Sequence, residues 1–323
     1  MSAIRKNENK FAIPVIGLAP MSEFNDLAFL SLVRDYGAQW VILGLVSSEG
    51  LKRGNIKSMG LVRCIDRIHP AFAQIFGANP QSMAEAAKMI EDLGFDGLDI
   101  NAGCPAPKVM QVLSGAALLD DLKNAQAVVK SVRRAVKIPV TIKMRLGRTG
   151  KEHLQLGKVA EDLGLNAVIL HPRTARQGYG SRADWQKIAE LKSKLKIPVI
   201  ASGDIRGSDS FLEVLRSTGC DGALIGRAAL GTPWIFRECL EALSGKVPTP
   251  VSIEERKRAA FKYLDYLEWF YGEKSLPFAK NHLFHFVKGL PNASHFRREL
   301  QTSDQDNLSK ILKKYFDSLR SVR

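Results

Sequence analysis

Cysteine is scarce. The four cysteines, Cys64, Cys104, Cys220 and Cys239, lie far apart with no C-x-x-C pair among them. That excludes a disulfide framework and a zinc site built on paired cysteines, so the expectation is free thiols and no metal. Long apolar runs are missing as well. The opening residues MSAIRKNENKF lack the apolar core of a signal peptide, and no later stretch is long enough to span a bilayer. A cytoplasmic protein without a membrane partner is expected. No G-x-G-x-x-G follows the first apolar strand, which counts against a dinucleotide-binding open sheet. Acidic residues are in deficit: 47 Lys and Arg stand against 33 Asp and Glu, a net charge of +14. The excess is uneven. Residues 244–323 hold 15 basic and 9 acidic side chains and are more than twice as basic per residue as the rest. Such a surface suits a polyanion, so nucleic acid is a candidate partner there.

What the chain has in abundance is repetition. An IPV strand recurs in IPVIGLAP (13–20), IPVTIKMR (138–145) and IPVIASGD (197–204). A helix end, a glycine turn and an apolar strand recur in DLGFDGLDIN (92–101), DLGLNAVILH (162–171) and STGCDGALIG (217–226), with DYGAQWVILG (35–44) as a looser copy. The short apolar runs read as strands buried on both faces. Between them lie helical periods, such as 82–94, with a capping box from Ser82 to Glu85, and 125–136, with a basic outer face. Strands are predicted near 13–19, 40–46, 72–76, 97–101, 140–145, 167–171, 199–202 and 222–225. This is the pattern of an α/β chain folded as a (β/α)8 TIM barrel. After GKVPTPV the strands stop. Ser252 and Glu255 form a second capping box, and helical stretches follow around 275–289 and 305–320. The predicted division is a barrel over 1–244 and a small all-helical domain over 245–323.

In such a barrel, function sits where strands end and βα loops begin. Strand seven ends in Ser202, Gly203 and Asp204, and strand eight in Gly226 and Arg227. Two glycine turns on adjacent strands, one followed by an arginine, favour a phosphate site over plain tight turns. Lys143 lies inside the apolar strand TIKM and needs a counter-charge, either an anionic ring such as a flavin or a salt bridge within the barrel. His171, one strand over, is either a ligand contact or a satisfied core histidine. Gln74 is either a heterocycle contact or a backbone partner.

Cys104 stands apart from the other thiols. NAGCPAPKV (101–109) holds it between glycine and proline just past a strand end, on a stiff loop facing the presumed pocket. A thiol with an ordinary pKa of about 8.5 is mostly protonated at neutral pH and can act as a general acid; a nearby cation would make it a nucleophile instead. With no base visible in the motif, the acid role is favoured. Lys108 either tunes the thiol or touches phosphate.

Taken together, LAPM (18–21), NAGCPAPKV with SGAALL (114–119), TIKMRLG (141–147), HPRTARQGYGSRADW (171–185), SGDI and IGRAALGTPW resemble the tRNA-dihydrouridine synthase family of FMN-dependent flavoenzymes. The layout is similar to bacterial members that end in a compact helical domain. The resemblance implies that reduced FMN passes hydride to C6 of a tRNA uracil, that a cysteine protonates C5, and that NADPH or NADH re-reduces the flavin. It makes Cys104 the proton donor. It puts Pro20, Met21, Ser22, Gln74, Lys143, His171, Ser202, Gly203, Asp204, Gly226 and Arg227 at FMN, and Asn101, Arg173 and Lys108 at the substrate. The basic helical domain would hold tRNA through residues such as Lys280, Lys288, Arg297, Arg298, Lys313 and Lys314, with the protein a monomer. The competing readings are a flavoenzyme reducing a free pyrimidine or small enone, and a non-catalytic RNA-binding barrel.

Overall fold

The repeated phrases have a common physical purpose, visible in a computed structural model that describes residues 15–55 and 68–319. The polar residue after each glycine turn accepts the first backbone N–H of a neighbouring strand. Gln39 takes it from Ile16 at 3.1 Å, Asp96 from Ala71 at 2.7 Å, Asn166 from Val140 at 2.9 Å and Asp221 from Val199 at 2.8 Å. Each copy thereby sets the register of one strand pair. Eight strands result: β1 (Ile16–Leu18), β2 (Trp40–Ser47), β3 (Ala71–Phe76), β4 (Gly97–Ala102), β5 (Val140–Met144), β6 (Ala167–Leu170), β7 (Val199–Ser202) and β8 (Gly222–Ile225). All pair in parallel and in sequence order, and β1 meets β8 to close the barrel. The start of the predicted first strand, residues 13–14, lies outside the described residues, as does Cys64.

A plug of apolar side chains fills the barrel interior, among them Trp40, Ile42, Phe72, Ile169, Ile200 and Leu224. Trp40 and Phe72 meet edge to face at 5.0 Å. Gly97 makes room for this plug: a Cβ there would lie 2.3 Å from the Phe72 ring.

Two helix starts differ from the sequence reading. The helix expected from Ser82 spans Pro80–Asp92, because Asn79 caps it by accepting the Ser82 N–H at 3.0 Å. Proline at the first helical position fits, since its missing N–H would have had no partner there. Glu85 does not close a capping box and instead meets Lys52 at 3.0 Å. The helix expected over 125–136 spans Leu122–Ala135, with Asp121 accepting the Asn124 N–H at 3.0 Å.

Beyond Leu243 the described residues are helical: Ile253–Tyr271, Leu276–Phe286, Ala293–Thr302 and Leu308–Ser318. Ser252 caps the first as predicted, but Glu255 turns to Arg237 rather than completing the box. The helix over 293–302 is an addition. These helices lock onto the β1 side of the barrel. Tyr263 donates its hydroxyl hydrogen to Asp26 at 2.9 Å, Leu27 donates its N–H to the Tyr271 hydroxyl at 3.0 Å, and His282 Nε2 donates to the Phe24 carbonyl at 2.9 Å. Within these helices Tyr271 stacks on Phe278 at 4.2 Å, whereas Trp269 is half exposed. No helix among the described residues is long and apolar enough to cross a membrane.

Candidate active site

At the C-terminal end of the barrel the strands present polar side chains in layers. The lower layer comprises Gln74 on β3, Asp99 on β4 and Thr141 on β5, adjacent by register. Thr141 Oγ1 donates to Asp99 Oδ1 at 2.6 Å and Gln74 Nε2 donates to Asp99 Oδ2 at 2.7 Å. Burial pushes the Asp99 carboxyl up to about 6, and these two bonds pull the other way. Two residues along β4, on the same face, sits Asn101. Its Nδ2 donates to Gln74 Oε1 at 2.7 Å, while Oδ1 accepts the N–H of Gly103 at 3.2 Å and of Cys104 at 2.9 Å. One hydrogen-bonded chain therefore runs from Thr141 to the backbone of Cys104.

Lys143 lies beside Asn101 in register. Its ammonium has no hydrogen-bond or ion-pair partner among the described residues. Desolvation, reinforced by the charge of Arg145, pulls it down to about 8. Cys104 is close enough to act electrostatically on both Lys143 and Arg145. Arg145 itself is buried and spans two loops: Nε donates to the Gly103 carbonyl, and Nη1 to the carbonyls of Thr174 and Gly178, each at 3.0 Å.

Just past β6, burial and then the charges of Lys143, Arg145, Arg173 and Arg227 drive His171 down to about 2, so it is neutral at physiological pH. Its Nε2 faces Arg173 Nη1 at 2.9 Å. An arginine only donates, so Nε2 accepts and the ring proton sits on Nδ1. Arg173 is buried and otherwise committed to Asp204 Oδ2, at 2.7 Å, and to the Ser181 carbonyl. Asp204 also accepts the Ala183 N–H at 2.7 Å. Burial opposes its ionisation, but these bonds and the charges of Arg173 and Arg206 hold it below its ordinary value. The turn depends on glycine: Gly203 has φ 105°, and a Cβ there would lie 2.8 Å from the His171 ring.

Above these groups opens a cavity of about 750 Å³. It brings together Pro20, Met21, Lys143, His171, Arg173, Ser202, Gly203, Asp204, Gly226 and Arg227, and extends to Trp234, Glu238, His285 and Lys288. Five cationic side chains border it (Lys143, Arg173, Arg206, Arg227 and Lys288) against the carboxylates Asp204 and Glu238. Asn101 adjoins Lys143 in register and is bonded to Gln74 and to the Cys104 N–H, and none of these three borders the cavity. Ser22 and Lys108 are exposed and stand apart from it. Of the basic residues expected at RNA, Lys288 reaches the cavity, whereas Lys313 pairs with Asp317 and Lys314 with Glu299. Burial pushes the Cys220 thiol up and the Cys239 thiol up to about 12, consistent with inert packing for both.

Sequence reasoning passed over Asp99 and Tyr179 and gave Arg145 no role. Asp99 carried a signal, an acid two residues before Asn101 on one strand face. Tyr179 carried none. Its half-exposed ring stands at the mouth with the Arg227 guanidinium 4.1 Å and that of Arg145 5.4 Å from its centroid.

The family profile for dihydrouridine synthase matches residues 17–319. A probable tRNA-dihydrouridine synthase of Rickettsia conorii is 38% identical over 287 residues, covering 87% of this chain and 86% of the relative. The tRNA-dihydrouridine synthase B of Xanthomonas axonopodis pv. citri is 35% identical over 314 residues, covering 95% and 94%. Among solved structures, a histamine dehydrogenase from Rhizobium aligns with TM-score 0.57 at 12% identity over 78% of this chain and 48% of its own. A 2-naphthoyl-CoA reductase aligns with TM-score 0.56 at 13% identity over 72% and 50%. These two likenesses establish the barrel fold.

Proposed function

The chain belongs to the dihydrouridine synthase family, and on that premise we propose that it reduces the C5=C6 bond of uridines in tRNA to 5,6-dihydrouridine, using FMN. The residues present fit that cofactor. A half-buried ammonium without a partner among the described residues, Lys143, and a concave surface with an excess of cations both call for an anionic, polar-edged ligand. Bound there, FMN would supply the hydride for C6 of the uracil, with NADPH or NADH as its reductant. Lys143 and the Nδ1–H of His171 would donate to its ring system, Pro20 and Met21 would pack against it, and Gln74, outside the cavity lining, would support the ring site through Asn101. Arg227 and the turns at Ser202–Asp204 and Gly226 would hold its phosphate. Ser22 and Lys108, apart from the cavity, are left with outer roles, Lys108 at RNA phosphate.

The chain's own chemistry centres on Cys104. Its Sγ would give its proton to C5 and recover one from water afterwards, so the thiol is unchanged over a cycle. Asn101 fixes that thiol by holding two successive backbone N–H groups of its loop and keeps one amide hydrogen for the base. Arg173 positions the Asp204 turn and His171 rather than the base. The exposed ring of Tyr179 stands where an extruded uracil would enter. The reading assigns tRNA binding to a helical domain over 245–323 of a cytoplasmic monomer, with Lys288 at the cavity edge, so tRNA affinity should fall steeply with salt.

One observation carries this reading: the hydrogen-bonded chain that fixes the Cys104 loop passes through Asn101, the register neighbour of Lys143, whose ammonium borders the cavity without a partner among the described residues. The test is dihydrouridine formation in unmodified tRNA by the flavin-loaded enzyme. Cys104→Ala should keep its flavin and its tRNA affinity while turnover falls by about 10²–10⁴-fold. Turnover of free uracil or dihydroorotate with none on tRNA, or full activity of the variant, would overturn it.

A further inference from the structure

The cysteine loop carries a feature the reaction as described leaves unused. Val112 is 55% and Leu113 68% exposed, side by side on the loop that bears the proton donor. Leu113 also has φ 55°. Three non-glycine residues among those described have positive φ, and the other two, Asp204 and Asn292, are of types that tolerate it. Leucine has no side-chain hydrogen bond to offset that conformation, and glycine or asparagine would adopt it more easily.

The conformation is firmly set. The Leu113 N–H bonds the Met110 carbonyl at 2.9 Å, and the Ser114 N–H bonds the Val109 carbonyl at 3.3 Å. Ser114 turns inward and is fully buried, which throws Leu113 outward. The same loop is tied to the cysteine. The Ala116 N–H donates to the Cys104 carbonyl at 3.0 Å, and a Cβ on Gly115 would lie 2.6 Å from that oxygen. Leu113 and Cys104 are thus fixed on one rigid loop.

We propose that Leu113, flanked by Val112, is the wedge that enters the RNA base stack where the target uridine has left it. This rests on the tRNA reading above. A base that must reach a thiol at a barrel mouth has to leave its stack, and an apolar side chain filling the gap opposes its return. The side chain that does so must keep a constant distance from the proton donor, as Leu113 does. The exposed Lys108 on the same loop supplies a charge for the adjoining phosphate backbone.

The test compares Leu113→Met, Leu113→Gly and Leu113→Asn as flavin-loaded enzymes on an unmodified tRNA transcript. Gly and Asn relieve the backbone, so their melting temperatures should equal or exceed the wild type. Their kcat for dihydrouridine formation should fall about 10–100-fold, with tRNA Kd changed less than about threefold and flavin reduction by NADPH without RNA unchanged. Met, long and apolar, should keep most of the activity. Undiminished turnover in the Gly and Asn variants would overturn the wedge and leave the surface to a protein partner. Equal loss in all three, or loss that tracks melting temperature, would also overturn it. A wild-type enzyme that makes no dihydrouridine in tRNA would instead overturn the underlying reading.

Discussion

The side-chain oxygen of Asn101 accepts the backbone N–H of Cys104 at 2.9 Å, so a residue one short of the end of β4 also sets the position of the thiol three residues on. The bond turns a loop cysteine into a placed one. Proximity chemistry rewards such placement, because misplacing a reacting group by about 1 Å costs about 10²-fold in rate.

Asn101→Leu should therefore lower dihydrouridine formation by about 10²-fold with little change in flavin content. Leucine keeps the volume but leaves the N–H groups of Gly103 and Cys104 without their acceptor. Turnover per flavin within threefold of wild type would show that the prolines alone position the thiol.

On the proposed reading, Lys143 should make FMN affinity depend on pH. Without ligand its ammonium is pulled down to about 8 by burial. An anionic ligand prefers the protonated form and raises that value, so above pH 8 binding must first return a proton. Affinity should be flat below about pH 7.5 and weaken by up to about tenfold per unit between pH 8 and 9.5. Flavin fluorescence titration reads this directly. Lys143→Met should bind more weakly with a flat profile, and a wild-type profile flat to pH 9.5 would refute the assignment.

Asp99 makes stability depend on pH in the opposite sense to most carboxylates. Its folded value of about 6 lies above the ordinary 3.8, so the folded protein holds more protons between those values. Stability from this group is complete below about pH 4 and is lost as pH rises through 6, by about 1–3 kcal/mol. Asp99→Asn should remove that slope in urea melts at pH 4 to 7. An identical slope in the variant would place the titration elsewhere.

The helical part is fitted to the barrel at Gly231, where φ is 68° and a Cβ would lie 2.2 Å from the His285 backbone. Gly231→Ala should destabilise the protein by about 2–4 kcal/mol through overpacking and strain. Thermal melts should also lose cooperativity as the helices separate from the barrel. A Tm within two degrees of wild type would mean the junction can give way.

The alternation of IPV strands with glycine turns was enough to count eight strands and to predict a closed barrel, because each phrase encodes its own register bond. Asp96, Asn166 and Asp221 lie at one offset in copies of one motif, and periodicity is a local property. The strand ends pointed equally well to Lys143, His171, Ser202 and Arg227. Helix starts at Ser82 and residue 125 were misplaced by a few residues, since Asn79 and Asp121 competed successfully as caps. Pairings across the barrel could not be read. That Arg173 serves Asp204, that Arg145 joins two loops, and that Tyr179 stands beside two guanidinium groups all depend on residues 29 to 48 apart in sequence meeting at one mouth. The sequence determined which residues end the strands. Only the closed barrel decided which of them touch, because closure brings β1 against β8 and gathers the ends of β1, β5, β6, β7 and β8 around one cavity.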